Sequence, residues 1–255
     1  NCVMSKLSVV IITLNEAKNI ARCMSSVQAV ADEIVVLDSF STDETVAIAQ
    51  TFGAKIFQKK FEGFTQQKNV AAEKATYDFV FSIDADEAVS DELLQAIKRE
   101  KEIGFGADGY AMNRLNFIGE REVRTSGLYP NTKIRIWNKA KGGWQGGFVH
   151  ERMVMNKNAR IKKLSGDLLH YSYKNTQELI VQNTRFAVLA AQSLQHENVV
   201  FLLFKLLLSA PFRFLKNYFL KLGFTDGLLG FSICVLQAKY VYEKYWQAIR
   251  LKYFK

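Results

Sequence analysis

Strand and helix patterns alternate through the first hundred residues, and this order limits the chain to few folds. Apolar runs typical of buried strands occupy residues 7–13, 33–38, 54–58 and 79–84. Apolar side chains recur at helical spacing between these runs, and Ser90 can cap a further helix. A strand–helix repeat requires right-handed crossovers. It therefore predicts an α/β fold with a mostly parallel sheet and ligands bound where the strands end.

The pattern changes after residue 104 to short strands and glycine-containing turns. Strands are predicted at residues 109–117, 133–137 and 160–170. The glycine-rich run 141–147 is predicted to be a loop that joins them. Because helical spacing returns after residue 175, we predict a first domain of residues 4–174 and a helical extension of residues 175–255.

The composition excludes several classes of protein. The 255 residues are 49% hydrophobic and include only two prolines, which excludes a disordered or collagen-like chain. Cys2, Cys23 and Cys234 show no metal or redox spacing, so we expect reduced thiols that pack as small apolar groups. The sequence has neither a phosphate-binding GxxxxGK loop nor a GxGxxG turn after its first strand, so it gives no support to a kinase or dinucleotide site.

The positive charge is concentrated in the last fifth of the chain. From residue 200 onward nine Lys and Arg residues face two acids, and this part holds 14 of the 32 aromatic residues. The charges could lie on a solvated face of packed helices, or they could contact anionic lipid headgroups. We favour the second interpretation, with these side chains in the bilayer interface: Phe201, Phe204, Leu207, Phe212, Phe214, Tyr218 and Phe219. A nucleic-acid partner is not expected, because the acids at the strand ends would repel phosphate.

No segment is predicted to span the membrane or to direct secretion. A spanning helix needs roughly 18 uninterrupted apolar residues, whereas the run Val199–Phe212 contains Lys205 and is expected to end at Pro211. The apolar residues 7–14 are too few for a secretory signal.

Acidic residues follow the fourth predicted strand. Asp84, Asp86 and Glu87 lie within four residues, and on extended backbone Asp84 and Asp86 point the same way. Both carboxylates could then face one hard cation. A solvated acidic turn would explain them equally well, but their position at the end of a parallel strand favours a site.

A second polar cluster follows the strand at residues 33–38. Asp38 ends this strand, and Ser41 or Asp43 can cap the next helix. Capping accounts for Ser41, Asp43 and Thr45 but leaves Asp38, whose carboxylate could accept hydrogen bonds from a nucleobase.

These segments together resemble the family 2 inverting glycosyltransferases of GT-A fold. The resemblance rests on residues 9–16, 36–45, 67–69 and 84–86, in order and spacing. Later segments resemble the lipopolysaccharide-core glucosyltransferase-like branch of bacterial enzymes, and they are residues 135–137, 144–151, 170–173 and 223–231.

The resemblance implies a site for a UDP-sugar. Thr13, Asn15 and Glu16 would line the nucleotide pocket, Asp38 would read the uracil edge, and Lys68 would lie near the base and phosphates.

It also implies a divalent metal, Mg²⁺ or Mn²⁺. Asp84 would contact the ribose or the water shell of the metal, Asp86 would bind the metal directly, and His170 would complete the metal or diphosphate site. An oxygen-rich site suits such a cation, which would neutralise the UDP that leaves.

Inversion requires a general base for the incoming hydroxyl. Many family members use the Asp of a Glu-Asp pair, whereas His150-Glu151 occupies that place here. We therefore predict Glu151 as the base and His150 as the residue that orients it or a substrate, with Asp108 or Glu120 as the next choice. A salt bridge with Arg152 or with a lysine would also explain Glu151.

Arg135, Trp137 and Trp144 are candidates for binding the acceptor, since aromatic faces stack on sugar rings. Buried structural tryptophans are an equal explanation. The Gln-x-x-Arg-Trp motif of processive members is missing, which indicates that one sugar is transferred per acceptor.

The sequence thus predicts a metal-dependent inverting transferase that moves one hexose, with glucose as the expected sugar. The donor would be a UDP-sugar and the acceptor a lipopolysaccharide-core or lipid-linked saccharide. The protein would lie peripherally on the cytoplasmic face of the bacterial inner membrane. Two alternatives stay open: a polyprenyl-phosphate sugar transferase of the same fold, and a non-catalytic peripheral membrane scaffold.

Overall fold

The computed structural model describes residues 5–146, 151–173, 176–194 and 196–253. The strands are β1 (Leu7–Thr13), β2 (Glu33–Asp38), β3 (Lys55–Gln58), β4 (Phe79–Asp84), β5 (Glu87–Val89), β6 (Gly109–Ile118), β7 (Arg121–Val123), β8 (Thr132–Asn138), β9 (Gly142–Gly146), β10 (Glu151–Met155) and β11 (Ile161–Tyr173). The helices are α1 (Ile20–Val27), α2 (Thr45–Thr51), α3 (Phe64–Glu73), α4 (Asp91–Glu102), α5 (Thr176–Gln192), α6 (Val199–Leu215) and α7 (Gly227–Tyr253). A π-helical turn (Lys216–Leu220) and a 3₁₀ turn (Gly223–Asp226) lie between α6 and α7.

The predicted α/β fold is confirmed, with a sheet that changes character along its width. Its strand order is β3-β2-β1-β4-β8-β6-β11-β5, with β7 beside β6. The first four strands are parallel, as the strand–helix repeat requires, whereas β8 runs antiparallel to both β4 and β6. The parallel strands therefore end at one edge of the sheet, where the polar residues were expected.

The core of the sheet forms from the apolar runs that predicted it. Val9 and Ile11 of β1 pack with Phe81 and Ile83 of β4 in one cluster beneath the sheet. Cys23 is a buried free thiol in this cluster, and Cys234 is also buried and free; Cys2 lies outside the described residues. Ser90 caps α4 as predicted, because its side chain accepts a hydrogen bond from the Leu93 amide.

The prediction of a loop over residues 141–147 is wrong for the part that the structure describes. β9 pairs antiparallel with β10 in a separate two-stranded sheet. Glycine permits this pairing, because a Cβ on Gly142 would lie 2.6 Å from Met155 Sδ and 2.8 Å from the Val154 carbonyl oxygen. A glycine-rich strand gives no apolar alternation, so sequence patterns miss it.

The chain divides into two compact units. Unit 1 comprises Asn1–Arg114 and Asn131–His170, and unit 2 comprises Leu115–Pro130 and Tyr171–Lys255. Residues 115–130 therefore group with the helical part, although the sequence placed them in the first domain.

Unit 2 is built from α5, α6 and α7 around small apolar clusters. One of them joins Leu202 and Leu206 of α6 to Ala248 and Ile249 of α7. Pro211 lies inside α6, which continues to Leu215. Pro211 is exposed. A proline inside a helix lacks the N–H donor for one i→i−4 hydrogen bond and crowds the carbonyl of residue i−4. Among the described residues, none of the helices combines the length and hydropathy that a bilayer-spanning segment needs.

Candidate active site

The ends of three parallel strands bring the predicted polar residues together in unit 1. Thr13 lies opposite Asp38 in the β1–β2 register, and Ile12 lies opposite Asp84 in the β1–β4 register. These positions share one edge of the sheet, so the residues that follow each strand converge there.

The loop after β1 is bound to the loop after β2 by hydrogen bonds. The Asn15 amide donates to Ser41 Oγ at 2.9 Å, and the Thr42 amide donates to Asn15 Oδ1 at 2.8 Å. The Glu16 amide donates to Thr45 Oγ1 at 2.8 Å. The Ser41 and Thr45 hydroxyls thus join the two loops, and the expectation that capping explains them is wrong. Asp43 does act on the first turn of α2, since it accepts from the Thr45 amide at 3.0 Å.

Asp38 is completely buried at the end of β2. Its carboxylate accepts hydrogen bonds from the Ser41 amide at 3.0 Å and from Gln58 Nε2 at 3.2 Å. Gln67 lies near this group, and its amide nitrogen donates to Ser39 Oγ at 2.9 Å. These contacts hold Asp38 in one orientation, and its contact with uracil stays a prediction.

Three buried charged side chains form a network with Asp84, which ends β4 and whose side chain is 23% exposed. Lys68 Nζ lies 3.0 Å from Asp84 Oδ1, and Arg135 Nη2 lies 3.1 Å from Asp84 Oδ2 and 2.6 Å from Glu87 Oε1. Lys68 and Arg135 are 2% exposed and Glu87 is 0% exposed. Such burial is tolerated only because each charge has a partner.

The network has clear consequences for the protonation of its members. Burial alone would raise the pKa of Asp84, but Lys68 and Arg135 lower it well below its usual range. Burial raises the pKa of Glu87. The positive charge of Arg135 opposes this rise, and the negative charge of Asp84 adds to it. Burial lowers the pKa of Arg135, but Glu87 and Asp84 more than offset this effect and keep the guanidinium charged. Asp84 is therefore a fixed negative charge at the sheet edge.

Asp86 and His170 form a pair beside this network. Asp86 lies in the turn after β4, and His170 lies opposite Glu87 in the β5–β11 register. This register brings His170 Nε2 to 3.4 Å from Asp86 Oδ2, with the side chains 14% and 26% exposed. The sequence proposed these two residues as metal ligands, although 84 positions separate them.

The chemistry of this pair fits a divalent cation. Among the described residues, no three or more His, Cys, Asp or Glu side chains are arranged so that they could together hold a metal ion. Mg²⁺ commonly uses only one or two carboxylates and takes its other ligands from water and substrate phosphates. One carboxylate and one imidazole, both partly exposed, therefore fit a cation that arrives with a diphosphate.

Glu151 lies at the start of β10, 22% exposed, with its Oε1 atom 3.2 Å from Lys68 Nζ. The structure thus brings the predicted base to the same lysine that contacts Asp84. A salt bridge with a lysine is also the explanation of Glu151 that requires no catalytic role, so its role as a base stays a prediction. His150 lies outside the described residues.

The three candidates for acceptor binding are mostly enclosed. Trp137 and Trp144 are 1% and 7% exposed and meet edge to face with ring centroids 6.2 Å apart. Arg135 is engaged by Asp84 and Glu87. Burial favours the structural explanation for both tryptophans. However, Trp144 also lies under two cations, with Lys68 Nζ 4.6 Å and Arg135 Cζ 5.7 Å from its ring centroid.

Sequence reasoning missed two residues that organise the site. Glu87 was noted only as part of an acidic cluster, although it forms the shortest contact of Arg135. Asn69 was noted only as part of a motif, although its side-chain amide bonds the backbone of Trp144 at two points. The sequence feature that could have identified Glu87 is its position as the third acid, after Asp84 and Asp86, in an otherwise apolar segment. No local pattern could have identified the partner of Asn69, which is 75 residues away.

Comparison with known proteins gives consistent matches. Residues 8–162 match the model of "Glycosyl transferase family 2". A glycosyltransferase of Rickettsia typhi is 33% identical over 249 residues, which are 92% of this chain and 84% of that protein. The lipopolysaccharide core biosynthesis glycosyltransferase LpsC of Rhizobium meliloti is 26% identical over 242 residues, with 92% and 89% of the two chains covered.

A solved structure is similar over almost the whole chain. The crystal structure of S. aureus TarS 1–349 has a TM-score of 0.50 and 15% sequence identity, and the match covers 98% of this chain and 93% of that one. At this identity the likeness concerns the fold alone. The family resemblance that the motifs predicted, and the GT-A fold with it, are confirmed.

Proposed function

We propose a substrate class for this chain, which belongs to glycosyl transferase family 2 and is an inverting glycosyltransferase. It transfers a single hexose, glucose in our proposal, from a UDP-sugar to a saccharide of the lipopolysaccharide core or to a related lipid-linked saccharide. The similarity to LpsC over nine tenths of the chain supports the acceptor class.

The observation that carries the proposal is the convergence of complementary groups at one sheet edge. Asp38 lies buried at the end of β2 as the proposed partner of the nucleobase, Asp86 and His170 offer ligands for a cation, and Glu151 offers a partly exposed carboxylate. Lys68 joins Asp84 to Glu151 and so links the donor side of the site to the base.

The proposed donor site uses a metal ion held by Asp86 and His170. Bound there, Mg²⁺ or Mn²⁺ would neutralise the negative charge that develops on the departing UDP. Thr13, Asn15 and Glu16 supply the wall of the nucleotide pocket in this proposal. The bonds between the loops after β1 and β2 support that role, because they fix this wall beside Asp38.

The proposed base is Glu151. Its carboxylate would take the proton from the acceptor hydroxyl as that oxygen attacks the sugar on the face opposite UDP. Contact with Lys68 supports this role, because the neighbouring ammonium group, 3.2 Å away, orients the carboxylate.

We also propose that unit 2 binds an anionic membrane surface, on the cytoplasmic face of the bacterial inner membrane. α6 exposes large apolar side chains, among them Phe204 (58%), Leu207 (71%) and Phe212 (66%). Cations accompany them, and no acidic residue lies between Glu197 and Asp226. Apolar side chains among uncompensated cations fit the interface of an anionic bilayer.

The first experiment measures UDP binding by calorimetry with and without Mn²⁺. We expect metal-dependent binding, and Asp86→Asn should reduce it to the level measured without metal. Asp91→Asn is the matched control, because Asp91 is an exposed carboxylate in α4. Binding that is absent under every condition would contradict the UDP donor and favour the scaffold.

The second experiment measures transfer of glucose from UDP-glucose to lipopolysaccharide-core acceptors. Glu151→Gln should lower kcat by roughly 100- to 10,000-fold while UDP binding persists, because only the proton acceptor is lost. Glu73→Gln, an exposed carboxylate of α3, should leave kcat unchanged. A mild effect of Glu151→Gln would favour a polyprenyl-phosphate acceptor, which needs little help from a base.

The membrane proposal is tested by sedimentation with vesicles. We expect binding to phosphatidylglycerol vesicles at low salt, little binding to phosphatidylcholine, and release at high salt. The double variant Lys216→Gln/Lys221→Gln should weaken binding by about 30-fold, since each charge contributes about 1 kcal/mol. Lys60→Gln/Lys157→Gln in unit 1 is the matched control, and an equal loss there would contradict a defined surface.

A further inference from the structure

We propose that Asn69 is a positioning residue that fixes the β9–β10 hairpin, and with it Glu151, against α3. The inference rests on the proposed function to the extent that Glu151 is the base. It adds that a side-chain amide of α3 determines where this carboxylate lies.

The Asn69 amide makes two hydrogen bonds with the backbone of one residue. Its Nδ2 atom donates to the Trp144 carbonyl oxygen at 2.9 Å, and the Trp144 amide donates to its Oδ1 atom at 2.9 Å. One donor and one acceptor at this spacing reproduce the contact that a neighbouring strand would make. Asn69 thus satisfies the free edge of β9 in place of a third strand.

β9 and β10 form a two-stranded sheet of their own, and Asn69 bonds this sheet to α3. In the β9–β10 register, Glu151 lies opposite Gly146. Gly146 follows Trp144 by two residues on β9. The position of Trp144 therefore determines the position of Glu151 through the β9–β10 register.

Lys68, the neighbour of Asn69 on α3, completes the attachment. Its Nζ atom lies 3.2 Å from Glu151 Oε1 and 4.6 Å from the centroid of the Trp144 ring. Consecutive residues of α3 thus hold the two strands of the hairpin, Asn69 through the backbone of β9 and Lys68 through the carboxylate on β10.

The geometry specifies an amide at position 69. Aspartate has the same shape but lacks the N–H donor, and its charge would face the Trp144 carbonyl oxygen. Serine removes the amide without adding a charge and is too short to make both contacts. Trp144 is 7% exposed, so water replaces the lost bonds poorly.

The test compares kinetics and binding in the full chain. Asn69→Asp and Asn69→Ser should each lower kcat at least tenfold, with the Kd for UDP changed less than twofold. Asn158→Asp, an exposed asparagine in the turn after β10, is the matched control and should leave kcat unchanged.

A double-mutant comparison separates positioning from general damage. If Asn69 acts through Glu151, Asn69→Ser should have no further effect on kcat in a Glu151→Gln background. An equal loss in both backgrounds, or an equal loss of UDP affinity, would overturn the proposal.

Hydrogen exchange provides a readout that does not depend on turnover. The Trp144 amide should exchange at least tenfold faster in Asn69→Asp and Asn69→Ser than in the wild type or Asn158→Asp. If the wild type transfers no sugar, the proposed function fails. The proposed contact of Asn69 with β9 is tested separately, because unchanged exchange of the Trp144 amide in the Asn69 variants would overturn it. Faster exchange with unchanged kcat would overturn the positioning role.

Discussion

The strand-edge region of unit 1 and the helices of unit 2 distribute charge and apolar surface in opposite ways. Unit 1 buries Lys68, Arg135 and Glu87, with at most 2% of each residue exposed. Unit 2 leaves Leu220 and Leu228 77% and 86% exposed. In ordinary soluble domains, charged residues are almost never fully buried, and large exposed apolar patches are rare.

The difference indicates that each region is organised for a different kind of ligand. Buried charges are expensive, so the pairing of Arg135 and Lys68 with acidic partners in unit 1 stabilises them and keeps a negative charge at Asp84. Such an arrangement suits a reaction in which charge develops on the substrate, as in the proposed transfer from a UDP-sugar. Exposed apolar side chains are also unfavourable in water, so those of unit 2 suit a ligand that is itself apolar.

Breaking the buried pairing should have the largest effect on stability. Arg135→Met removes the close partner of Glu87, which is 0% exposed and whose pKa is already raised by burial. We expect the free energy of unfolding at pH 7 to fall by about 3–5 kcal/mol, because a buried charge loses its partner. Urea denaturation monitored by circular dichroism measures it.

Two further variants identify the cause of that loss. Arg135→Met/Glu87→Gln should recover part of the stability, because it removes both charges. Glu122→Gln breaks a pair with Arg124 whose side chains are 50% and 47% exposed, and it should cost at most about 1 kcal/mol. A loss below 1 kcal/mol for Arg135→Met would mean that the buried network does not stabilise unit 1.

The sequence predicted those features of the two units that depend on residues close together along the chain. Apolar runs identified β1, β2 and β4, and the polar residues after them identified the candidate site, because parallel strands end at one edge. Resemblance, rather than periodicity, also predicted that Asp86 and His170 act together; they lie 3.4 Å apart, and their role as metal ligands stays a prediction. The apolar and cationic character of residues 199–222 is likewise visible in the composition.

The partners of the buried groups could not be predicted in this way. The sequence places Arg135 48 positions after Glu87, and only the β4–β8 pairing together with the β4–β5 turn brings them together. β9 was missed because its glycines carry no side chains whose alternation could be recognised.

Acid should affect unit 1 through Glu33 at the start of β2. Burial alone would raise the pKa of Glu33, but hydrogen bonds from Lys55, Ser8 and Thr76 lower it from 4.5 to about 2. A carboxyl whose pKa is lower in the folded state stabilises the protein above its unfolded pKa. This contribution is lost as the pH falls from about 4.5 towards 2.

The measurement compares wild type and Glu33→Gln by urea denaturation between pH 7 and pH 3. The variant should be less stable at pH 7 by on the order of 3 kcal/mol, and the difference should shrink as the pH falls below 4.5. Glu243→Gln in unit 2 is the comparison, because its partner Lys239 is 3.6 Å away and half exposed. It should change stability by less than about 1 kcal/mol at either pH. A Glu33→Gln difference that is independent of pH would contradict the lowered pKa.

The smallest effect on stability is expected where the apolar surface of unit 2 is changed. Leu207→Gln, at a position 71% exposed, should alter the free energy of unfolding by less than about 0.5 kcal/mol. The same variant should weaken binding to phosphatidylglycerol vesicles by about tenfold, because partial burial of one leucine in lipid is worth on the order of 1.5 kcal/mol.

Leu202→Ala, on the buried face of the same helix, should lower stability by about 2–5 kcal/mol. These two leucines separate the internal face of α6 from the face that we assign to the bilayer. If Leu207→Gln left vesicle binding unchanged, the exposed apolar side chains would no longer explain membrane binding, and the cations alone would have to account for it.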